Sequence, residues 1–312
     1  MPAEADRLSS GAERNGLLGR EDIAALERLS LESLDAILAG LVGEREASGR
    51  TVGFEFADYR PYIPGDDVRR IDWNIYARLH ELHVRTSPQE ASLYLSVLLD
   101  ASRSMDSGEP NKLFYGRRLA ALLGAVALLR DDAVEVHTLA DGASADSGSF
   151  DSGSDLLGAM VDELERLPAG RSTDLRESIR RAATSGWQPE IAVLISDGLV
   201  PREELAAAAL ELARSARSAT FVQVTDPVGM VADWAGSTLL LDSETGQRID
   251  ATITPEVQQR YMERYARLSA EIERQCRADG VRYVKADTSV DPLEFLIARA
   301  REQRLLQTAL SG

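Results

Sequence analysis

The chain offers almost no sulfur chemistry. It has one cysteine, Cys276, in 312 residues. A single thiol cannot build a disulfide framework, and its isolation fits a reducing compartment. Cys276 falls in an amphipathic helical pattern near Arg274 and Arg277 and reads as an ordinary packed residue, because a reactive thiolate needs a dedicated electropositive pocket. Histidine is nearly as scarce, with only His80, His83 and His137. A His- or Cys-rich zinc site cannot be assembled from that set. Long apolar runs are missing too. The most apolar helical stretch, Leu119 to Leu129, is well short of the ~20 residues that cross a bilayer. The opening "MPAEADRLSSGAERNG" is polar and lacks the apolar core of a secretory signal. Positive charge is in deficit: 35 Lys and Arg stand against 51 Asp and Glu, a formal net charge of −16. An acidic surface repels nucleic acid and anionic membranes. These absences lead us to expect a soluble, cytoplasmic protein with no nucleic-acid partner and no direct membrane insertion.

What is present is a strand–helix alternation. Residues 1–19 are polar, Gly- and Ser-containing and aperiodic, and are expected to be disordered. Residues 20–90 read as an N-terminal extension, beginning with apolar residues at helical spacing from Ile23 to Leu41. Residues 91–308 then read as a single α/β domain. "LYLSVLLD" (93–100), "AVEVHTLA" (133–140), "IAVLISD" (191–197), "ATFVQVTD" (219–226) and "VRYVKAD" (281–287) are strand candidates. Helical patterns fall at 112–130, 156–167, 174–184, 201–217, 255–279 and 292–307. The Ser/Gly/Asp-rich stretch 141–155 reads as a loop with a short edge strand near Phe150, and 227–254 as a polar excursion. Alternation of this kind implies parallel pairing through crossover helices. The expected fold is a doubly wound, mostly parallel α/β sheet with helices on both faces.

Three candidate strands end in aspartate: Asp100, Asp197 and Asp226. In such sheets ligands sit beyond the carboxyl ends of the strands, where strand order reverses. If the strands ending in Asp100 and Asp197 are neighbours across that point, their carboxylates meet there. The loop "LLDASRSM" adds Ser102 and Ser104 at alternate positions, and the connecting segment "GRSTDL" (170–175) can bring Thr173. Two carboxylates and three hydroxyls are hard oxygen ligands of the kind magnesium takes. Two carboxylates balance a divalent ion and the hydroxyls add no charge, so the site stays receptive to one more anion, such as a partner's Asp or Glu. Capping of helices by Asp100 and Asp197 is the plainer alternative. Arg103 would compete with a cation if it folds inward and would steer an acidic ligand if it points outward.

The constellation Asp100, Ser102, Ser104, Thr173 and Asp197-Gly198 resembles the metal-ion-dependent adhesion site of von Willebrand factor A-like domains. That resemblance implies direct metal contacts from Ser102, Ser104 and Thr173, with the aspartates acting largely through water. The segment "RTVGFEFADYRPYIPGDDVRRIDWNIYARLHELHVRTSPQE" (50–90) has a type II turn signal at Ile63-Pro64-Gly65-Asp66. A short helix follows on Val68, Ile71, Ile75 and Leu79, and "LHVRT" (82–86) reads as a short strand. Its interleaved acids and arginines read as a salt-bridged face or an interaction surface. Gly53, Glu55, Phe56, Arg60, Tyr62, Gly65, Asp66, Asp67, Arg69, Asp72, Trp73, Ala77 and Arg78 look like the signature of the bacterial domain-of-unknown-function family fifty-eight. That family joins such a signature to a von Willebrand factor A-like domain. Asp226-Pro227 and the Asp242-x-Glu244-Thr245-Gly246 run match it as well. The resemblance implies an accessory protein, an adaptor or chaperone-like partner of a MoxR-type AAA+ ATPase.

Three functions compete on these residues. The first is a magnesium-dependent protein-interaction module and no enzyme. The second is a metal-independent scaffold. The third is a metal-assisted hydrolase with Ser102 or Ser104 as nucleophile and His137 as base. It lacks a Gly-x-Ser-x-Gly elbow.

Overall fold

A computed structural model of the chain describes residues 16–27, 59–61, 83–85, 93–139, 147–150, 156–167, 170, 174–183, 189–226, 236–241, 248–299 and 302. Several expectations lie outside these residues. They are the first helix beyond residue 27, the Ile63–Asp66 turn and the helix after it, Thr173, the Asp242 to Gly246 run, and the last helix beyond residue 299. The chain divides into two compact units, one of residues 1–43 with 93–312 and one of residues 44–92. The smaller unit contains β1 (Tyr59–Pro61) and β2 (His83–Arg85), which pair antiparallel.

The larger unit is built on a six-stranded sheet. Its strands are β3 (Tyr94–Asp100), β4 (Ala133–Leu139), β5 (Ser147–Phe150), β6 (Ile191–Ser196), β7 (Ser218–Thr225) and β10 (Arg282–Asp287), in the spatial order β10-β7-β6-β3-β4-β5. All neighbours are parallel except β5, which closes the edge antiparallel to β4. Every residue of β3 and of β6 is buried. This is the reason these strands read as nearly unbroken apolar runs: both sheet faces are covered.

Alternate residues of each strand serve different cores. Leu95, Val97 and Leu99 of β3 pack with Val193 and Ile195 of β6 on one face. There they meet α1 (Arg20–Glu27), α2 (Lys112–Leu129), α3 (Leu157–Arg166) and α7 (292–299). Leu98, Ala192 and Leu194 point to the other face, against α4 (Leu175–Ala183), α5 (Arg202–Ser215) and α6 (Pro255–Ala278). The doubly wound α/β architecture expected from the alternation is therefore present.

The long helices start where the sequence supplies caps. Asn111 Oδ1 accepts from Phe114 N at 2.9 Å at the start of α2. Thr254 caps α6, with Pro255 at its first position, where a missing N–H costs nothing. Two expectations change. The disorder expected for 1–19 does not hold at Leu17, which is buried in the core with its N–H donating to Glu165 Oε1 at 3.1 Å, and residues 1–15 lie outside the described residues. The polar excursion 227–254 holds an antiparallel hairpin, β8 (Gly236–Leu241) with β9 (Arg248–Ile253), as a separate two-stranded sheet. Its second strand, RIDATI, does alternate polar and apolar residues, but the polarity of the surrounding segment masked that signal, and the hairpin leaves Leu239 and Ile249 exposed.

Candidate metal centre at the sheet switch point

The chain leaves β3 through α2 to β4 on one side, and returns to β6 on the other. β3 and β6 are thus the pair at which strand order reverses, with Leu99 in register with Ile195. One residue later the sequence places Asp100 beside Ser196, whose hydroxyl donates to Asp100 Oδ2 at 2.6 Å. The other carboxylate oxygen, Oδ1, accepts from Ser102 N at 2.8 Å, which turns the loop after β3 back over the strand end. The hydroxyls of Ser102 and Ser104 lie 3.0 Å apart, and Ser104 Oγ donates to Asp197 Oδ1 at 3.2 Å. Four of the five expected site residues, Asp100, Ser102, Ser104 and Asp197, thus form one connected cluster. Thr173 lies outside the described residues, but Gly170, at the head of its loop, donates its N–H to Ala101 O at 2.6 Å.

The carboxylates of the cluster are buried. Asp100 and Asp197 are both 1% exposed. Burial, then the charge of Asp197, raises the Asp100 carboxyl from its ordinary range to about 6, against the lowering effect of its hydrogen bonds from Ser196 and Ser102. Two carboxylates facing one buried volume behave in this way when too little positive charge lies between them. The donor chemistry therefore fits a hard divalent cation. Among the described residues no group of three or more His, Cys, Asp and Glu gathers as a metal cluster, and a cation here would have to take hydroxyl oxygens beside the two carboxylates.

Backbone geometry fixes Asp197 as firmly as Asp100. Leu199 N donates to Asp197 Oδ1 at 3.0 Å, and Gln223 Nε2 donates to the Asp197 carbonyl at 3.1 Å. Gln223 is itself held by Tyr283, whose hydroxyl donates to Gln223 Oε1 at 2.6 Å. Gly198 takes φ +70°, which explains why glycine follows the aspartate: a side chain there would be strained and would meet Ile272. Asp226, the third strand-end aspartate, does other work. Its Oδ2 accepts from Glu109 N at 3.2 Å and pins the far end of the β3–α2 loop.

Arg103 is exposed rather than buried within the cluster. The cation that does enter is Lys112, the first residue of α2. Its Nζ lies 2.6 Å from Asp197 Oδ2, and the residue is 7% exposed. Sequence reading passed over it. A signal existed, since a lysine in a helix's first turn opposes the helix dipole and needs a partner elsewhere. The proposed base of a hydrolase is committed to other work. His137 is 2% exposed on β4, with Nε2 3.1 Å from Glu135 Oε2.

The family model described as "Protein of unknown function DUF58" matches residues 58–271. The chain belongs to this family. Among curated relatives, the uncharacterized protein Rv1480 of Mycobacterium tuberculosis is 27% identical over 293 residues, covering 93% of this chain and 91% of that protein. Of solved structures, the conserved hypothetical protein BatB of Bacteroides thetaiotaomicron aligns at 17% identity and TM-score 0.38, over 68% of this chain and 99% of that one. A von Willebrand factor type A protein of Catenulispora acidiphila aligns at 12% identity and TM-score 0.41, over 71% and 43%.

Proposed function

We propose that this DUF58 chain is a protein-interaction module whose switch-point site takes a divalent cation, magnesium by its hard-oxygen donors, and through it an acidic residue of a partner. The observation that carries this reading is the linked Ser102, Ser104 and Asp197 oxygens beside buried Asp100 at the carboxyl edge of the sheet. Ser102 and Ser104, with Thr173, would hold the ion directly. Asp100 and Asp197 would hold its water. The ion would supply the positive charge that a partner's carboxylate requires. This chain's own contribution is orientation: Ser196 and Ser102 fix Asp100, and Leu199 and Gln223 fix Asp197.

Membership of the family, with the resemblance of its motifs, supports an adaptor or chaperone-like role beside a MoxR-type AAA+ ATPase, in the cytoplasm. Among the described residues no helix is long and apolar enough to cross a membrane. Titration calorimetry with magnesium tests the metal claim. Binding to the wild type and its loss in Asp100→Ala/Ser102→Ala is expected. Equal heats in both proteins, or none in the wild type, would sink the claim.

A second reading, the metal-independent scaffold, is favoured by one observation: Lys112 already brings a cation to Asp197. Pulldown of a partner with and without chelator separates the two, since a scaffold retains its partner in chelator.

A further inference from the structure

Lys112 divides the labour of Asp197. Its ammonium takes Oδ2 at 2.6 Å, while Oδ1 faces Ser104 and Leu199 N. The hydroxyl side of the cluster is therefore left to another cation. The lysine adds one fixed positive charge against the two carboxylates. Its position is not incidental to α2. Leu113 N donates to Met105 O at 2.8 Å and Lys112 N to Ser107 O at 3.0 Å. The loop that carries Ser102 and Ser104 is thus closed onto the residue that neutralises Asp197.

We propose that Lys112 is a built-in second cation of the site, a positioning residue that stabilises Asp197 in the metal-free protein and weakens divalent-metal affinity by the charge it contributes. The inference rests on the metal reading above. It has a consequence for the partner. With lysine alone the cluster has a net charge of −1. With lysine and a divalent ion together it has +1, an excess that favours an anionic ligand only after the metal has entered. Without the lysine the loaded site would be neutral. Lys112 therefore makes the sign of the site depend on metal occupancy.

The role predicts two effects of opposite sign, which a merely structural lysine would not give. Lys112→Met should melt lower than the wild type in chelator, by about 10 °C, because Asp197 is left buried without its counter-ion. The same variant should bind magnesium about tenfold more tightly by calorimetry, since the positive charge paired with Asp197 no longer repels the ion. Lys112→Gln can still donate to Asp197 but has no charge, and serves as the second variant if methionine prevents folding. It should also bind magnesium more tightly.

The outcomes separate the two claims. Equal or weaker magnesium binding by the neutral variants, with clear binding by the wild type, overturns the role of Lys112 and leaves the metal reading standing. Binding by the variants but not by the wild type supports the role of Lys112 and overturns the metal reading for the native protein. No binding by any of the three overturns both.

Discussion

At the scale of single residues, the chemistry of the site depends on atoms that carry no chemistry themselves. Ser196 is fully buried, donates to Asp100 and accepts from Gly198 N at 3.0 Å. Ser196→Ala removes both bonds and leaves buried partners wanting, so it should cost about 1–3 kcal/mol in denaturant unfolding. Cys276 is the opposite case, a residue whose chemistry is suppressed. It is fully buried, and burial, helped by Asp279, pushes its thiol up to about 12. Native protein at pH 8 should react with a thiol reagent far more slowly than the same protein in denaturant. The sign of the linked stability follows. A thiol held protonated in the fold contributes fully below its ordinary value near 9 and loses that contribution as pH climbs from 9 toward 12. Unfolding midpoints measured across that window should fall.

At the scale of elements, α6 shows how one helix serves two environments. Its C-terminal part buries Ser269, Ile272 and Cys276 against the sheet. Its N-terminal part leaves Val257, Tyr261 and Met262 exposed. Even so, this part feels the site. Burial first, then the charge of Asp197, pushes the Tyr265 phenol upward. With few buried contacts, amides of 258–266 should exchange with solvent faster than those of 270–277 in a native-state exchange experiment. Uniform protection along α6 would show that the exposed part is covered. The central strands behave differently. Leu99 is fully buried and packs against α2 at Gly116, so Leu99→Ala should cost about 2–5 kcal/mol.

At the scale of the whole molecule, the net charge of −16 and the site work on different ranges. The overall field favours basic surfaces and is screened within about 8 Å at physiological salt. The cluster at the switch point is buried and much less screened. A ligand that binds only the folded state raises stability by about 2.7 kcal/mol at a hundredfold excess over its dissociation constant. Saturating magnesium should therefore raise the melting temperature relative to chelator, and Asp100→Ala/Ser102→Ala should abolish the rise. An equal rise in both proteins would place the ion elsewhere.

The sequence by itself determined the architecture and which aspartates and serines stand at the ends of its central strands. Unbroken apolar strands such as β3 and β6 can only be covered on both faces, and aspartates at their carboxyl ends must converge if the strands are neighbours. Tertiary structure alone decided what lies between the carboxylates. Lys112 is twelve positions beyond Asp100 and eighty-five before Asp197, and only the closure of the β3–α2 loop brings its ammonium to Oδ2. Arg103, nearer in sequence, is exposed. Ser196, Gln223 and Tyr283 were likewise invisible as site residues, because their roles come from sheet register and strand order. Sequence spacing reports which face of an element a side chain occupies. Which charge another element brings to meet it is decided by packing.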